Sequence, residues 1–171
     1  MIILLNGAFG IGKTTVARVL VSRLPRAILF DPELIGIALQ RTLRLSGRTV
    51  HDFQDLPLWR RLTVTGLRAT RLAFTNIVVP MAISNPAYLQ ELRDGIGRFD
   101  AHVFHYCLRA PIEVVHERLR LRGDDHERAS WSYQRAVECC QLHGSDTFAR
   151  HIDAADQRPQ EIAERILRFC T

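Results

Sequence analysis

The chain has 171 residues, 47% of them hydrophobic, enough for one domain with a buried core, and its apolar runs are too short to span a membrane. The formal net charge is +5, and Lys13 is the only lysine among 23 basic residues; the arginines are dispersed, with no basic tail or nucleic-acid motif, so nucleic acid is not an expected partner. Cys107, Cys139, Cys140 and Cys170 form no CxxC pair and no charged leader precedes an apolar stretch, so a reduced cytoplasmic setting without a secretory signal is expected.

Taken in chain order, strands and helices alternate. Ile2 to Asn6 reads as a buried strand. A glycine-rich loop follows, then a helix from Thr14 to about Leu24, stopped by Pro25. Ala27 to Phe30 is a second apolar strand ending at Asp31. Pro32 suits the first turn of a helix reaching Leu43. Residues 44 to 55 read as a loop, and Leu56 to Thr70 has helical spacing. Asn76 to Ile83 is a third strand, with Pro80 complicating its end. A helix runs from Asn85-Pro86 to about Arg93, and His102 to Leu108 is a fourth strand. Pro111 starts a helix to Arg122. The charged stretch Gly123 to Ser130 leads into a helix from Trp131 to Leu142. Phe148 to Ile152 is a last strand, and Pro159 opens a final helix to Phe169. This alternation predicts one α/β domain over residues 1–171, a parallel sheet of about five strands with helices on both faces.

Gly7-Ala8-Phe9-Gly10-Ile11-Gly12-Lys13-Thr14 matches G-x-x-x-x-G-K-[ST] completely, between a strand and a helix. Glycines let such a loop curl and aim its N–H groups at phosphate oxygens, and the helix start adds a positive dipole end. A compact ammonium is needed where the loop surrounds the β and γ phosphates, which explains the single lysine in a chain that otherwise uses arginine. ATP and Mg2+ are the expected ligands. Thr14 would ligate the magnesium and Thr15 would touch the α phosphate.

Asp31 ends a strand, where ligands of parallel sheets collect. Its carboxylate could hold magnesium or accept a proton from an attacking hydroxyl, and Glu33 could share that work. Capping the Pro32 helix is the structural alternative, and both can hold at once. Arg118 and Arg122 lie four apart on one helix face, placed to clamp phosphates if they face a nucleotide, or to sit solvated beside Glu113 and Glu117. With the Gly-Asp-Asp-His-Glu-Arg stretch beyond them they suggest an arginine-bearing lid. The segment Asp52-Phe53-Gln54-Asp55-Leu56-Pro57-Leu58-Trp59-Arg60 mixes acids, an amide and aromatics. Phe53, Gln54, Asp55, Trp59 and Arg60 could read a flat polar substrate, or Phe53 and Trp59 could be core and Asp55 a cap. Cys139, Cys140 and His143 lack the spacing of a zinc site and read as buried.

Among phosphate-loop proteins, a GTPase would need an Asn-Lys-x-Asp motif, and the only lysine is already in the loop. AAA-type motors carry paired acids at the end of a later strand, and residues 76–83 contain none. Asp94-Gly95-Ile96-Gly97 matches DxxG only in a helix-ending turn. The small kinase group remains.

The general layout resembles the shikimate-kinase and nucleotide-kinase-like enzymes. That likeness implies that Asp31 and Glu33 contact magnesium and substrate. It also implies that the region from His151-Ile152-Asp153 through Asp156 to Pro159 holds the adenine against a lid arginine. Asn6 through Thr15, Phe30-Asp31-Pro32-Glu33 and Asp52 through Arg60 resemble the tunicamycin-resistance ATP-binding proteins. This implies a cytoplasmic ATP-binding protein protecting bacteria from a uracil-containing nucleoside antibiotic. That family associates with membranes through a C-terminal amphipathic helix; here Ile162, Ile166 and Phe169 are expected to pack on the sheet instead. The Asp31-Pro32 pair also resembles deoxynucleoside kinases, where an acid before proline is the base. The reading that follows is a phosphotransferase acting on a hydroxyl of a nucleoside-like compound, with tunicamycin a candidate. A binder that sequesters the drug without chemistry, and a kinase for an ordinary metabolite, remain the alternatives.

Overall fold

Five apolar segments pair into one parallel sheet in the computed structural model, which describes residues 1–122, 126–148 and 150–170, with the backbone alone described at 126–130. The strands are β1 (Ile2–Gly7), β2 (Ala27–Leu29), β3 (Asn76–Met81), β4 (Val103–Arg109) and β5 (His151–Asp153). Their spatial order is β2-β3-β1-β4-β5, and every neighbouring pair is parallel. Ile2, Ile3, Leu4 and Leu5 of the central strand are fully buried, because a parallel sheet covered on both faces hides both sides of each strand.

The helices are α1 (Lys13–Arg23), α2 (Pro32–Leu45), α3 (Pro57–Arg71), α4 (Pro86–Gly97), α5 (Ile112–Arg122), α6 (His126–Leu142) and α7 (Pro159–Phe169). Residues of α1, α5, α6 and α7 share one core with Ile3, Leu5, Tyr106 and Ile152. On the opposite face α3 and α4 pack with Ile2, Leu4, Ile77 and Val79. Ile162 and Ile166 of α7 are buried against the sheet, as the pattern predicted, whereas Phe169 is 42% exposed beside Tyr106 and Arg150. Among the described residues no helix is long and apolar enough to cross a membrane.

The structure moves several expected boundaries. α4 runs on to Gly97, past Arg93, because Leu92 and Ile96 continue its buried face. α6 begins at His126, five residues before Trp131. Phe148 is not in the last strand; it sits in a 3₁₀ turn, Asp146–Phe148, with its ring buried as a plug against His143. Pro80 lies inside β3 opposite Leu5. Val78 accepts a hydrogen bond from Phe30 on the β2 side. Pro80, two residues on, faces that same side beyond the last β2–β3 pair, so its missing N–H breaks no ladder bond there. The expected lid over Gly123–Ser130 falls partly outside the described residues, at 123–125, while 126–130 open α6.

Candidate active site

β1 ends at Gly7 beside β4, where the chain order of the sheet reverses from β3 on one side to β4 on the other; ligands collect at such crevices. Asn6 builds the floor. Its Oδ1 accepts from the backbone N–H groups of Gly7 (3.0 Å) and Ile83 (2.9 Å), and its Nδ2 donates to the Ile83 carbonyl (2.9 Å). This fully buried side chain locks the start of the phosphate loop to the chain leaving β3. Sequence reasoning missed it, since an asparagine after an apolar run signals only a turn.

The loop from Gly7 curls into α1. Gly10 has φ +80°, and a Cβ there would lie 2.6 Å from Leu119 Cγ, so only glycine fits between loop and α5. Gly12, at φ +101°, caps α1 without a side-chain hydrogen bond, and the helix has no acid in its first turn. The first N–H groups of α1 are thus left for an anion. A Cβ on Gly12 would meet nothing within 4 Å, so the loop opens there onto the cleft. Both features fit a nucleotide's phosphates. Lys13 Nζ donates to the Ala8 carbonyl at 2.8 Å and lies 5.3 Å from the centroid of the Phe9 ring. Burial pushes its pKa down, an effect partly offset by the nearby Glu33 carboxylate.

A cleft of about 520 Å³ brings together Gly10, Gly12, Lys13, Thr14, Thr15, Asp31, Glu33, Arg118 and Arg122, and Phe9, Leu34, Ile37 and Pro80 complete its wall. Asp31 Oδ1 accepts from the Glu33 N–H at 3.0 Å, the N-cap of α2, so the capping role is real. Its Oδ2 receives no hydrogen bond among the described residues and stays available. The Thr14 hydroxyl and the Asp31 carboxylate are hard oxygen donors of the kind Mg2+ takes alongside substrate phosphates.

The two arginines part company. Arg118 donates from Nη1 to the Ile11 carbonyl (3.1 Å) and from Nη2 to the carbonyls of Ala154 (3.0 Å) and Ala155 (2.8 Å). It therefore ties the phosphate loop to the segment after β5 while still lining the cleft. Asp156 follows in that segment and Pro159 opens α7; neither lines the cleft. Arg122, one turn further along α5, lines both this cleft and the cavity next to it.

That neighbouring cavity, about 380 Å³, is lined by Phe9, Glu33, Ile37, Gln40, His51, Phe53, Arg122, Trp131 and Ser132. Phe9 and Trp131 meet edge to face, centroids 5.0 Å apart. α6 is held over it by Arg135, which pairs with Asp52 (3.1 Å) and also reaches Glu138 and Ser84 (3.2 Å). Ile37, His51, Trp131 and Ser132 come from distant segments and escaped sequence reasoning.

Of the block Asp52 to Arg60, only Phe53 lines this cavity. Gln54 Nε2 donates to the Ala82 carbonyl (3.1 Å), Trp59 Nε1 to the Pro32 carbonyl (2.9 Å), and Arg60 Nη1 to the Gln54 carbonyl (2.6 Å). Asp55 accepts from the Tyr88 hydroxyl (3.1 Å). Gln54, Trp59 and Arg60 are buried with their polar atoms satisfied within the protein, so they build the wall from behind, Trp59 as core; Asp55 is exposed, lines neither the cleft nor the cavity, and is not among the residues brought to them. Cys139 is core, and His143 donates from Nε2 to the Ile83 carbonyl at 2.7 Å.

A family model described as chloramphenicol phosphotransferase-like protein matches residues 1–171. The tunicamycin resistance protein of Deinococcus radiodurans is similar over 98% of this chain and 94% of its own, with 31% identity and a TM-score of 0.76. A sugar kinase from Janibacter covers 98% and 92% at 19% identity and TM-score 0.71, and the shikimate kinase of Acinetobacter baumannii 98% and 91% at 17% and 0.65; these two show the fold. No curated protein sequence matches the chain.

Proposed function

We propose, for a chain that belongs to the chloramphenicol phosphotransferase-like protein family, an ATP- and Mg2+-dependent transfer of phosphate to a hydroxyl of a nucleoside-like small molecule, with tunicamycin the first candidate. One observation carries this reading: Asp31 and Glu33 face Lys13, Thr14 and Arg122 across a single cleft that adjoins an aromatic cavity. A small-molecule kinase needs that arrangement, with phosphates on one side, an acceptor on the other and a carboxylate between them.

In this mechanism the loop N–H groups and Lys13 hold the β and γ phosphates. Thr14 and Asp31 would hold magnesium, which supplies charge neutralisation for the phosphates when bound. The acceptor lies in the cavity of Phe9, Phe53 and Trp131. Asp31 takes the proton of its hydroxyl as that oxygen bonds to the terminal phosphorus and the bond to ADP breaks. Arg122, at the junction of cleft and cavity, steadies the charge on the transferring group. Arg118 keeps the loop and the segment through Asp156 to Pro159 in register for the adenine. The similarity to a D. radiodurans tunicamycin resistance protein supports tunicamycin as the acceptor.

The test is incubation with ATP, Mg2+ and tunicamycin, followed by mass analysis of the drug. A gain of one phosphate with formation of ADP is expected. Tight binding of unmodified drug would establish sequestration instead. ADP formation with sugars but not with the drug would make the chain a metabolite kinase.

A further inference from the structure

The inner face of α6 runs through Ser132, Ala136 and Cys139, spaced at helical intervals. Ala136 and Cys139 are fully buried in the core with Ile11, Val115 and Leu119. Where that core gives way to the aromatic cavity the stripe ends on Ser132, which is 3% exposed and lines the cavity beside Trp131. Its hydroxyl makes no hydrogen bond among the described residues. Other helical hydroxyls return to their own backbone one turn back: Thr42 to Ala38 (3.0 Å) on α2, and Thr65 to Arg61 (2.9 Å) and Thr70 to Gly66 (2.8 Å) on α3. Among the described residues, Thr63 and Ser84 are the other buried hydroxyl-bearing serine and threonine side chains. Ser84 donates to Glu138 at 3.0 Å, and Thr63, although also without a partner, is sealed in the core and lines neither the cleft nor the cavity. Ser132 is thus a buried hydroxyl whose partner must come from the cavity.

Gln40 lines the same cavity from α2. Its Nε2 donates to the Val50 carbonyl at 3.1 Å. A carbonyl only accepts, so the amide is held in one orientation and its Oε1 is left as an acceptor. Glu33 and Arg122 are shared with the phosphate cleft, which makes that end of the cavity the reacting end. Phe9, Phe53 and Trp131 offer aromatic surface to a flat ligand. A hydroxyl donor, an amide acceptor and aromatic rings together match a flat ring that carries both a carbonyl and an N–H. Given the phosphotransferase reading above, on which this rests, we infer that Ser132 is a specificity-determining residue for the acceptor: its O–H donates to a ring carbonyl while the ring N–H donates to Gln40 Oε1. The ligand class is an uncharged lactam or imide heterocycle, such as the uracil of a nucleoside, joined to a sugar whose hydroxyl reaches toward Asp31.

The subsite can be read without phosphate transfer. With the phosphate loop saturated by a non-hydrolysable ATP analogue and Mg2+, uridine and a riboside bearing phenyl in place of uracil are titrated by calorimetry. The wild-type protein should bind uridine at least about tenfold more tightly than the phenyl riboside, because the latter leaves Ser132 and Gln40 unpaired. S132A should lose about that factor for uridine and change less than about twofold for the phenyl riboside. Alanine suits a helix interior, so the melting temperature of S132A should not fall below wild type. Equal weakening of both ribosides would show that Ser132 only shapes the wall and would overturn the proposal. So would unchanged affinity of S132A for uridine, or equal affinity of the wild-type protein for the two ribosides. Uridine methylated at its ring N–H should bind weakly to wild type and S132A alike; binding as tight as uridine's would overturn the contact with Gln40. Riboside binding that depends on Ser132, with no ADP formed from any acceptor, would leave this subsite standing and remove the kinase reading. ADP formation together with uridine binding indifferent to Ser132 would do the reverse.

Discussion

The ammonium of Lys13 donates 2.8 Å to the carbonyl of Ala8, five residues back in the same loop. Nucleotide binding must exchange this internal bond for bonds to phosphate. Lys13→Ala should therefore weaken ATP binding by at least about tenfold, the worth of a charge-assisted hydrogen bond. Calorimetric affinity within twofold of wild type would contradict the assignment. Burial also lowers the pKa of Lys13 below its ordinary 10.5. Affinity for ATP should then decline as pH rises toward that lowered value, earlier than a solvated lysine would allow, because only the charged form attracts phosphate.

Asp31→Asn keeps the bond to the Glu33 N–H that caps α2, since asparagine caps as well as aspartate. It removes the proton acceptor. Phosphate transfer should fall by roughly 10²-fold or more while the melting temperature stays put. Retention of full transfer would move the base to Glu33.

Arg118 and Arg122 should fail differently. Arg118→Ala removes three bonds to backbone carbonyls and should cost roughly 1–3 kcal/mol of stability, with a raised KM for ATP. Arg122→Ala should raise the transfer barrier by about 2–4 kcal/mol, read as a drop in kcat with KM for ATP little changed. Identical behaviour of the two variants would refute this division of labour.

His143 is 2% exposed, and burial lowers its pKa to about 4, with Lys13, His151 and Arg135 adding positive charge nearby. The unfolded chain, titrating near 6.5, binds the proton more readily. The folded state is at full advantage above pH 6.5 and loses roughly 3 kcal/mol as pH falls to 4. His143→Gln can still donate to the Ile83 carbonyl and does not titrate. Urea unfolding across that range should show a shallower loss in the variant; parallel curves would rule out His143 as the source.

The phosphate loop, the parallel α/β domain and the acid ending β2 were legible because each depends on local rules. A G-x-x-x-x-G-K-T run between a strand and a helix has few conformations open to it, and continuous apolar runs separated by helical spacing define a buried parallel sheet. The capping by Asp31, set by its neighbour Pro32, was visible as well. The chain by itself thus determined the loop that joins β1 to α1 and the acid that opens α2.

Tertiary structure decided what each side chain faces. Trp59 and Gln54 looked like substrate readers, yet their N–H groups end on the carbonyls of Pro32 and Ala82, partners far away in the chain. Arg118 and Arg122 share one helix face and both line the cleft, but only packing against the segment after β5 engages the first with backbone carbonyls. The aromatic cavity joins Phe9, Ile37, Phe53 and Trp131 from four separate elements. Periodicity marks which face of an element is apolar; it carries no information about which distant face will cover it, because that choice is made by the joint packing of the whole chain.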